Sequence, residues 1–280
     1  MQRDTCGLEQ SSIGQFVEVP AGSFIKSRDP RYPEEGAPNK KSVGSFLMQT
    51  HEVTNSQFAA FISATGYITD AEQTTKTIAG SAHFKSSNDS DTSTWVLDNT
   101  ATWKTPHGSG SSLKDISNHP VVHVSFKDAT AYAEWSGTRL PTELEWEYAA
   151  SLGLPNIEEA TSGAYDADGN PVANTWQGVF PIINAATDGF KGTAPTGCFT
   201  QSDIGLYDMI GNVWEWTVTP YSLPSNNTQL ETSNSGVTNH VIKGGSFLCA
   251  DNFCKRYRAA ARQPQEIDFS ASHIGFRVVK

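Results

Sequence analysis

Long apolar runs are missing from this chain of 280 residues. Nowhere does it approach the ~18 uninterrupted apolar residues of a membrane-spanning helix, so no span is expected. The start, Met1-Gln2-Arg3-Asp4-Thr5-Cys6, lacks the apolar stretch of a secretion signal. A mature form with its leader removed fits equally well, which leaves the compartment open between cytoplasmic and exported. Basic side chains are also short, 20 against 30 acidic, for a net charge of −10. A chain-wide negative field argues against nucleic acid or an anionic membrane face as the partner. Cysteine is scarce too. Four cysteines cannot make a disulfide scaffold at this length; Cys6 and Cys198 stand alone, paired or free, while Cys249 and Cys254 lie close together.

What is present is ordinary globular material with an unusual texture. The hydrophobic share of 37% suffices for a core, while 23 glycines, 14 prolines and 7 tryptophans suggest a loop-rich protein with aromatic anchors. Phe16 to Pro20 alternates as a strand before the turn at Ala21-Gly22. Thr54 or Asn55 caps a helix through Phe58, Phe61 and Ile62 that ends at Gly66. Ser125 caps a second through Tyr132 and Trp135, closed by Gly137. Thr142 and Glu145 form a capping box for a third. Residues 79–112 read as a long irregular excursion, regular signals fade after Gly153, and short strand-like runs return from Val241 to Lys280. With no repeat and no break in composition, the expectation is one domain over 1–280, residues 1–14 being an N-terminal tail.

The strongest local feature is the stretch from Gly244 to Arg258. Cys249 and Cys254 can meet only if the chain bends between them, and Asp251-Asn252 supplies turn chemistry. If they meet, a disulfide, a redox thiol pair or a two-thiolate site for a soft ion such as Cu(I) are all open; two unrelated buried cysteines are the alternative. Lys255, Arg256 and Arg258 would favour thiolate over thiol. Zinc would need four ligands that the chain does not supply nearby. His119 and His123, with Pro120 between them, share no helical face and read as packed or surface histidines. Two further clusters, Asn174 to Gly178 with Asp188 to Phe190, and Asp208 to Trp216, mix carboxylate and amide oxygens with loop carbonyls. Those are the hard ligands calcium takes, although capping and turn roles use the same residues. Asp166 to Asn170 reads as an Asp-Gly turn, and Asn88-Asp89-Ser90 and Asn226-Asn227-Thr228 match glycosylation sequons.

Strings along nearly the whole chain resemble the formylglycine-generating enzymes, the sulfatase-modifying factors. They include VPAGSF (19–24), EVTNSQFAAF (52–61), RLPTELEWEYA (139–149), GLYDMIGNVWEWT (205–217), GGSFLC with its second cysteine and RYR (244–258), and SHIGFR (272–277). The resemblance implies an α+β fold related to the C-type lectins, with little regular secondary structure. It implies a copper-dependent oxidase that converts a cysteine, in a Cys-x-Pro-x-Arg segment of an unfolded or nascent sulfatase polypeptide, to Cα-formylglycine with O2. It further implies that Cys249 and Cys254 are catalytic and hold Cu(I). Two structural Ca2+ ions follow by the same route, one held by Asn174, Thr175, Asp188 and Phe190, the other by Asp208, Gly211, Val213 and Glu215. Ser246, Trp214, Ser270 and His273 fall where the family lines its oxygen and substrate pocket. The chain departs from well-known members at Ala250, where they have histidine, and at His273, where they have asparagine. Ala133 and Ala259 replace structural cysteines of exported animal members, as in a bacterial-type enzyme, expected to be monomeric. The alternatives are a related oxidase acting on another peptide or a siderophore-like substrate, and a non-catalytic lectin-like binding module. The last has no need of paired cysteines.

Overall fold

Side-chain chemistry at three polar residues decides where the helices begin. The structure, a computed structural model, describes residues 6–73, 80–85, 94–152, 164–166, 168–224 and 238–280. The two sequons at 88–90 and 226–228 lie outside these residues. Strand β1 (Phe16–Val19) pairs antiparallel with β4 (Phe46–Gln49), and between them β2 (Gly22–Lys26) pairs with β3 (Asn39–Val43). Helix α1 (Asn55–Thr65) starts at Thr54, whose hydroxyl accepts from Gln57 N at 3.3 Å while Gln57 Oε1 accepts from Thr54 N at 3.0 Å. Gly66 ends it at φ +67°, a left-handed turn that costs glycine little. The same reciprocal bonding opens α2 (Phe126–Trp135) through Ser125 and Asp128, and α3 (Glu143–Leu152) through Thr142 and Glu145. These starts are the ones expected from the sequence.

The expectation for 79–112 needs correction. That stretch contains an antiparallel hairpin, β5 (Ser81–Lys85) with β6 (Thr94–Asp98), in register from Ser81 opposite Asp98. Its signal was weak because serine, threonine and asparagine dominate the stretch. Trp95 and Leu97, which would mark a strand, stay largely outside the core. The two-residue strands β7 (Gly178–Val179) and β8 (Ile183–Asn184) make a second small hairpin. The C-terminal part forms a sheet in the order β11-β10-β9-β12, from β9 (Trp214–Pro220), β10 (Asn239–Lys243), β11 (Arg262–Glu266) and β12 (Ile274–Gly275). Strand β12 runs parallel to β9, with Ile274 opposite Trp214.

Short elements such as these must be held by their side chains. Phe58 of α1 is fully buried and meets Phe61, Trp103 and Phe276 edge-on. It belongs to one apolar cluster with Tyr132 of α2, Trp214 and Trp216 of β9, Ile274, and both Cys249 and Cys254. The main core therefore reaches directly to the candidate site. Residues 6–14, expected as a tail, are instead fastened: Cys6 and Cys198 form a disulfide, and Leu8 N donates to Thr196 O at 3.0 Å. Gly14 N donates to His51 Nε2 at 2.9 Å. Few helices, many short strands and much irregular chain match the expected texture. Among the described residues no helix is long and apolar enough to cross a membrane.

Candidate functional site

After β10, Gly244 and Gly245 take φ of +95° and +76°. A Cβ on Gly245 would stand 2.9 Å from the Arg256 carbonyl and the Tyr257 backbone, so only glycine lets the outgoing chain pass the returning one. The chain then turns where Asp251-Asn252 suggested, with Cys254 N donating to Ala250 O at 2.9 Å. The turn brings Cys249 Sγ to 3.2 Å from Cys254 Sγ. That is beyond the ~2.05 Å of a disulfide bond, and both cysteines are free and buried.

The two sulfurs differ electrically. The hydrogen bond from Cys249, and then Arg256 with Nη1 at 3.9 Å, lower the Cys254 thiol to about 6. Donating that bond, together with burial, pushes Cys249 well above the usual thiol range. These opposite shifts favour Cys254 as the thiolate that accepts from the Cys249 thiol. Of the three basic residues expected to act here, only Arg256 touches sulfur. Lys255 pairs with Asp251 at 3.3 Å, and Arg258 is turned away onto Glu35 and the Asp29 carbonyl.

Of the expected pocket residues, Ser246 bonds directly to Cys249, and the other three are placed by separate contacts. Trp214 is buried in the cluster that holds both cysteines, and its backbone N–H donates to His273 O at 2.8 Å. Ser246 is fully buried; its carbonyl accepts from Cys249 N at 2.9 Å and its hydroxyl from Leu248 N at 3.3 Å. Ser270 donates to Ser81 Oγ at 2.8 Å. The His273 ring lies 4.9 Å from Trp95 with Nδ1 sealed and unpartnered, and burial lowers it to about 3. On the outer side, Phe253 is 66% exposed and stacks on Phe180 at 4.5 Å. Asn252 clasps the backbone N–H and carbonyl of Phe180. On the opposite flank Tyr32 accepts from Lys255 N at 3.2 Å and carries the Arg256 guanidinium 4.0 Å above its ring. Tyr32 also lines an open cavity of about 420 Å3 with Arg31, Pro33 and Pro224.

Both oxygen clusters fold inward, and each contains one buried oxygen with no partner. In the first, Asn174 Oδ1 is that atom. Asp188 is fully buried, accepting from Thr175 N at 3.2 Å and from Phe190 N at 2.9 Å. The Gln177 amide nitrogen stands among these oxygens, donating to Thr175 O and, at 2.7 Å, to Asp188 Oδ2. Turning that amide would present Oε1 instead, giving an all-oxygen set of the kind calcium takes. The second cluster holds Asp208, Gly211 at φ +77° and Val213, ending at Glu215. Here the unpartnered atom is Oε2 of Glu52, a residue that no local pattern connects to this cluster. Burial raises Asp208 to about 6 and pushes Glu52 well above the carboxylate range. Buried carboxylates in excess are what a divalent cation would relieve. Among the described residues no three His, Cys, Asp or Glu side chains converge as a metal-binding group. The expected sets carry one and two such side chains and the cysteine pair two; Glu52 makes a third carboxylate near Asp208 and Glu215, but the three do not converge on one point.

Two other residues at the heart of the site escaped the sequence reading. Arg277 is fully buried and grips Glu215 with Nε to Oε2 and Nη2 to Oε1, both at 2.7 Å, while Trp146 Nε1 donates to Oε2 at 2.7 Å. Asn212, at φ +53°, links the two oxygen clusters: Asn174 Nδ2 donates to its Oδ1 at 3.0 Å and its Nδ2 donates to Glu52 Oε1 at 3.0 Å. Nothing local in the sequence marks these contacts, which span 38 to 160 residues.

Residues 2–280 match the family model described as the sulfatase-modifying factor enzyme 1-like domain. A formylglycine-generating enzyme of Thermomonospora curvata is 42% identical, over 94% of this chain and 92% of its own length. One of Mycobacterium tuberculosis is 41% identical over 95% of this chain and 98% of its own. Among solved structures, PvdO from Pseudomonas aeruginosa superimposes with a TM-score of 0.62 at 21% identity, covering 100% of this chain and 98% of that one, a likeness of fold.

Proposed function

The chain belongs to the sulfatase-modifying factor family, and from that premise we propose that it oxidises the cysteine of a sulfatase Cys-x-Pro-x-Arg segment to Cα-formylglycine, with O2 as acceptor. The observation that carries this reading is the pair of free sulfurs 3.2 Å apart, with Arg256 beside Cys254. Two thiolates without hard oxygen donors suit a soft monovalent ion, which makes Cys249 and Cys254 the residues to hold Cu(I). When bound, Cu(I) supplies the electron-rich centre at which O2 is reduced.

The chain's own residues do the rest. Cys249 gives up its proton on loading, as ligands must, and Arg256 offsets the charge that this leaves. The cluster around Trp214 keeps water from the sulfurs. An extended substrate segment finds ring surfaces on both flanks of the turn, at Phe253 and Phe180 and at Tyr32. Reaching sulfurs this deeply set favours an unfolded or nascent polypeptide. The finer fold reading, an α+β scaffold related to the C-type lectins, accompanies the proposal. So do two Ca2+ ions, at Asn174, Thr175, Asp188 and Phe190 and at Asp208, Gly211, Val213 and Glu215, fixing loops that lack ladders. A related oxidase acting on another substrate is the second reading, and Ala250 and His273 are the residues that favour it.

The deciding experiment incubates the copper-loaded protein with a Cys-x-Pro-x-Arg peptide and follows its mass. The expected change is that of CH2SH becoming CHO; no change, or a different one, refutes the assignment. Calcium is tested separately by thermal unfolding. At calcium about 100-fold above its dissociation constant, binding adds about 2.7 kcal/mol, which corresponds to about 5–10 °C in a domain of this class. Chelation should remove that increment, and Asn174→Ala should shrink the response. An unfolding temperature indifferent to chelator would count against both sites.

A further inference from the structure

Ser270 begins a chain of hydrogen bonds that runs through two further buried side chains. Ser270 Oγ is 2.8 Å from Ser81 Oγ, Ser81 Oγ is 2.7 Å from His123 Nδ1, and His123 Nε2 is 2.9 Å from the Pro106 carbonyl. All three side chains are buried. The segments they come from are stitched by backbone bonds at the same level: Ala82 N donates to Ser270 O at 3.0 Å, and His123 N to Ala271 O at 3.0 Å. His123 also sits at φ +60°, a conformation uncommon for a residue with a side chain and one that persists only where surroundings enforce it.

The far end of this chain fixes the direction of every proton in it. A carbonyl can only accept, so His123 Nε2 must carry hydrogen. The ring is neutral, because burial lowers it to about 3. Its Nδ1 is then bare and can only accept, which obliges Ser81 to donate to it. With its single proton committed, Ser81 can meet Ser270 only as an acceptor, so Ser270 donates inward. We propose that His123 is a positioning residue that, through Ser81, holds the Ser270 hydroxyl proton inward, so that Ser270 meets the substrate peptide only as acceptor for a backbone N–H. This rests on reading Ser270 as a wall of the formylglycine-generating site. Ala271, its neighbour, packs in the same cluster as Cys249 and Cys254.

The test has one arm that needs no turnover. In the 15N NMR spectrum of histidine-labelled protein, His123 should show a protonated Nε2 and an unprotonated Nδ1 across neutral pH. A proton on Nδ1 would reverse the chain and overturn the proposal whatever the enzyme's activity. The second arm is kinetic. Ser81→Ala frees the Ser270 proton to turn outward, and Ser270→Ala removes the acceptor. Each should raise KM for the Cys-x-Pro-x-Arg peptide about fivefold, the worth of one hydrogen bond, with kcat within about twofold. Because both act through one hydroxyl, the double variant should be no worse than either alone, whereas independent structural damage would multiply. Ser81→Thr keeps the hydroxyl and should restore KM. Unchanged KM in both single variants, or multiplied effects in the double, overturns the proposal. If the parent protein leaves the peptide untouched, the proposed function has failed instead, and the histidine spectrum alone decides the direction of the chain.

Discussion

Cys254→Ser is expected to abolish aldehyde formation on a Cys-x-Pro-x-Arg peptide even with copper in excess. Serine keeps the size and the hydrogen bond but replaces a soft thiolate by a hard hydroxyl that stays protonated near neutral pH. A monovalent soft ion gains nothing from such a donor. Loss of a group that merely supports a ligand costs 10–100-fold in many metal sites, so loss of a ligand itself should exceed about 100-fold. Cys249→Ser should do the same, and the double variant should be no worse, because the two sulfurs act as one unit. Undiminished turnover in either single variant would remove the sulfur pair from the mechanism. The structure gives the experiment a clean background. Both side chains occupy a turn closed by backbone bonds such as Cys254 N to Ala250 O, so exchange of one atom leaves the turn's own supports intact.

Arg277→Leu is expected to cost about 3–5 kcal/mol, because it leaves a buried carboxylate without its cation. Glu215 would keep only the Trp146 indole N–H, with Asp208 and Glu52 close by and no positive charge among them. At about 2–4 °C per kcal/mol, the unfolding temperature should fall by roughly 6–20 °C. Arg277→Lys should rescue little, since an ammonium cannot reproduce the two parallel bonds of the guanidinium. The deficit should depend on pH. Asp208 and Glu52 have folded pKa values raised above their unfolded ones. From the unfolded range up to about 6 for Asp208, and on through the raised range of Glu52, the folded state therefore binds more protons, and stability falls as pH rises. Arg277 holds both values down, so without it the fall is steeper, and in calcium-free buffer the variant should lag its parent more at pH 8 than at pH 5. A deficit below about 1 kcal/mol at pH 8 would show that Glu215 does not depend on its partner.

These two sites differ in how far the sequence foretold them, and distance along the chain explains the difference. Thr54, Ser125 and Thr142 cap their helices through residues three positions on, so pattern alone places them. Cys249 and Cys254 close over five residues, and the turn chemistry between them was visible. By contrast Arg277 meets Glu215 over 62 residues, Asn212 meets Glu52 over 160, and Ser270 meets Ser81 over 189. No local pattern encodes such contacts. The β5–β6 hairpin failed for another reason: Trp95 and Leu97 face outward, so the alternation that marks a strand against a core is muted. Arg256, Lys255 and Arg258 show a third limit. Composition gave the right charge near the sulfurs, but only geometry shows that Glu35 takes Arg258 away while Arg256 stays.

The bond between Cys6 and Cys198 closes a covalent ring that contains α1, α2, α3 and the first oxygen cluster, and leaves both thiols outside it. A single proteolytic nick between residues 7 and 197 would therefore yield two pieces still tethered by sulfur. One placed between Cys198 and Cys249 would free a C-terminal fragment carrying Cys249 and Cys254, retained only by non-covalent grips such as Arg277 on the Thr50 carbonyl and the pairing of Lys280 with Leu47.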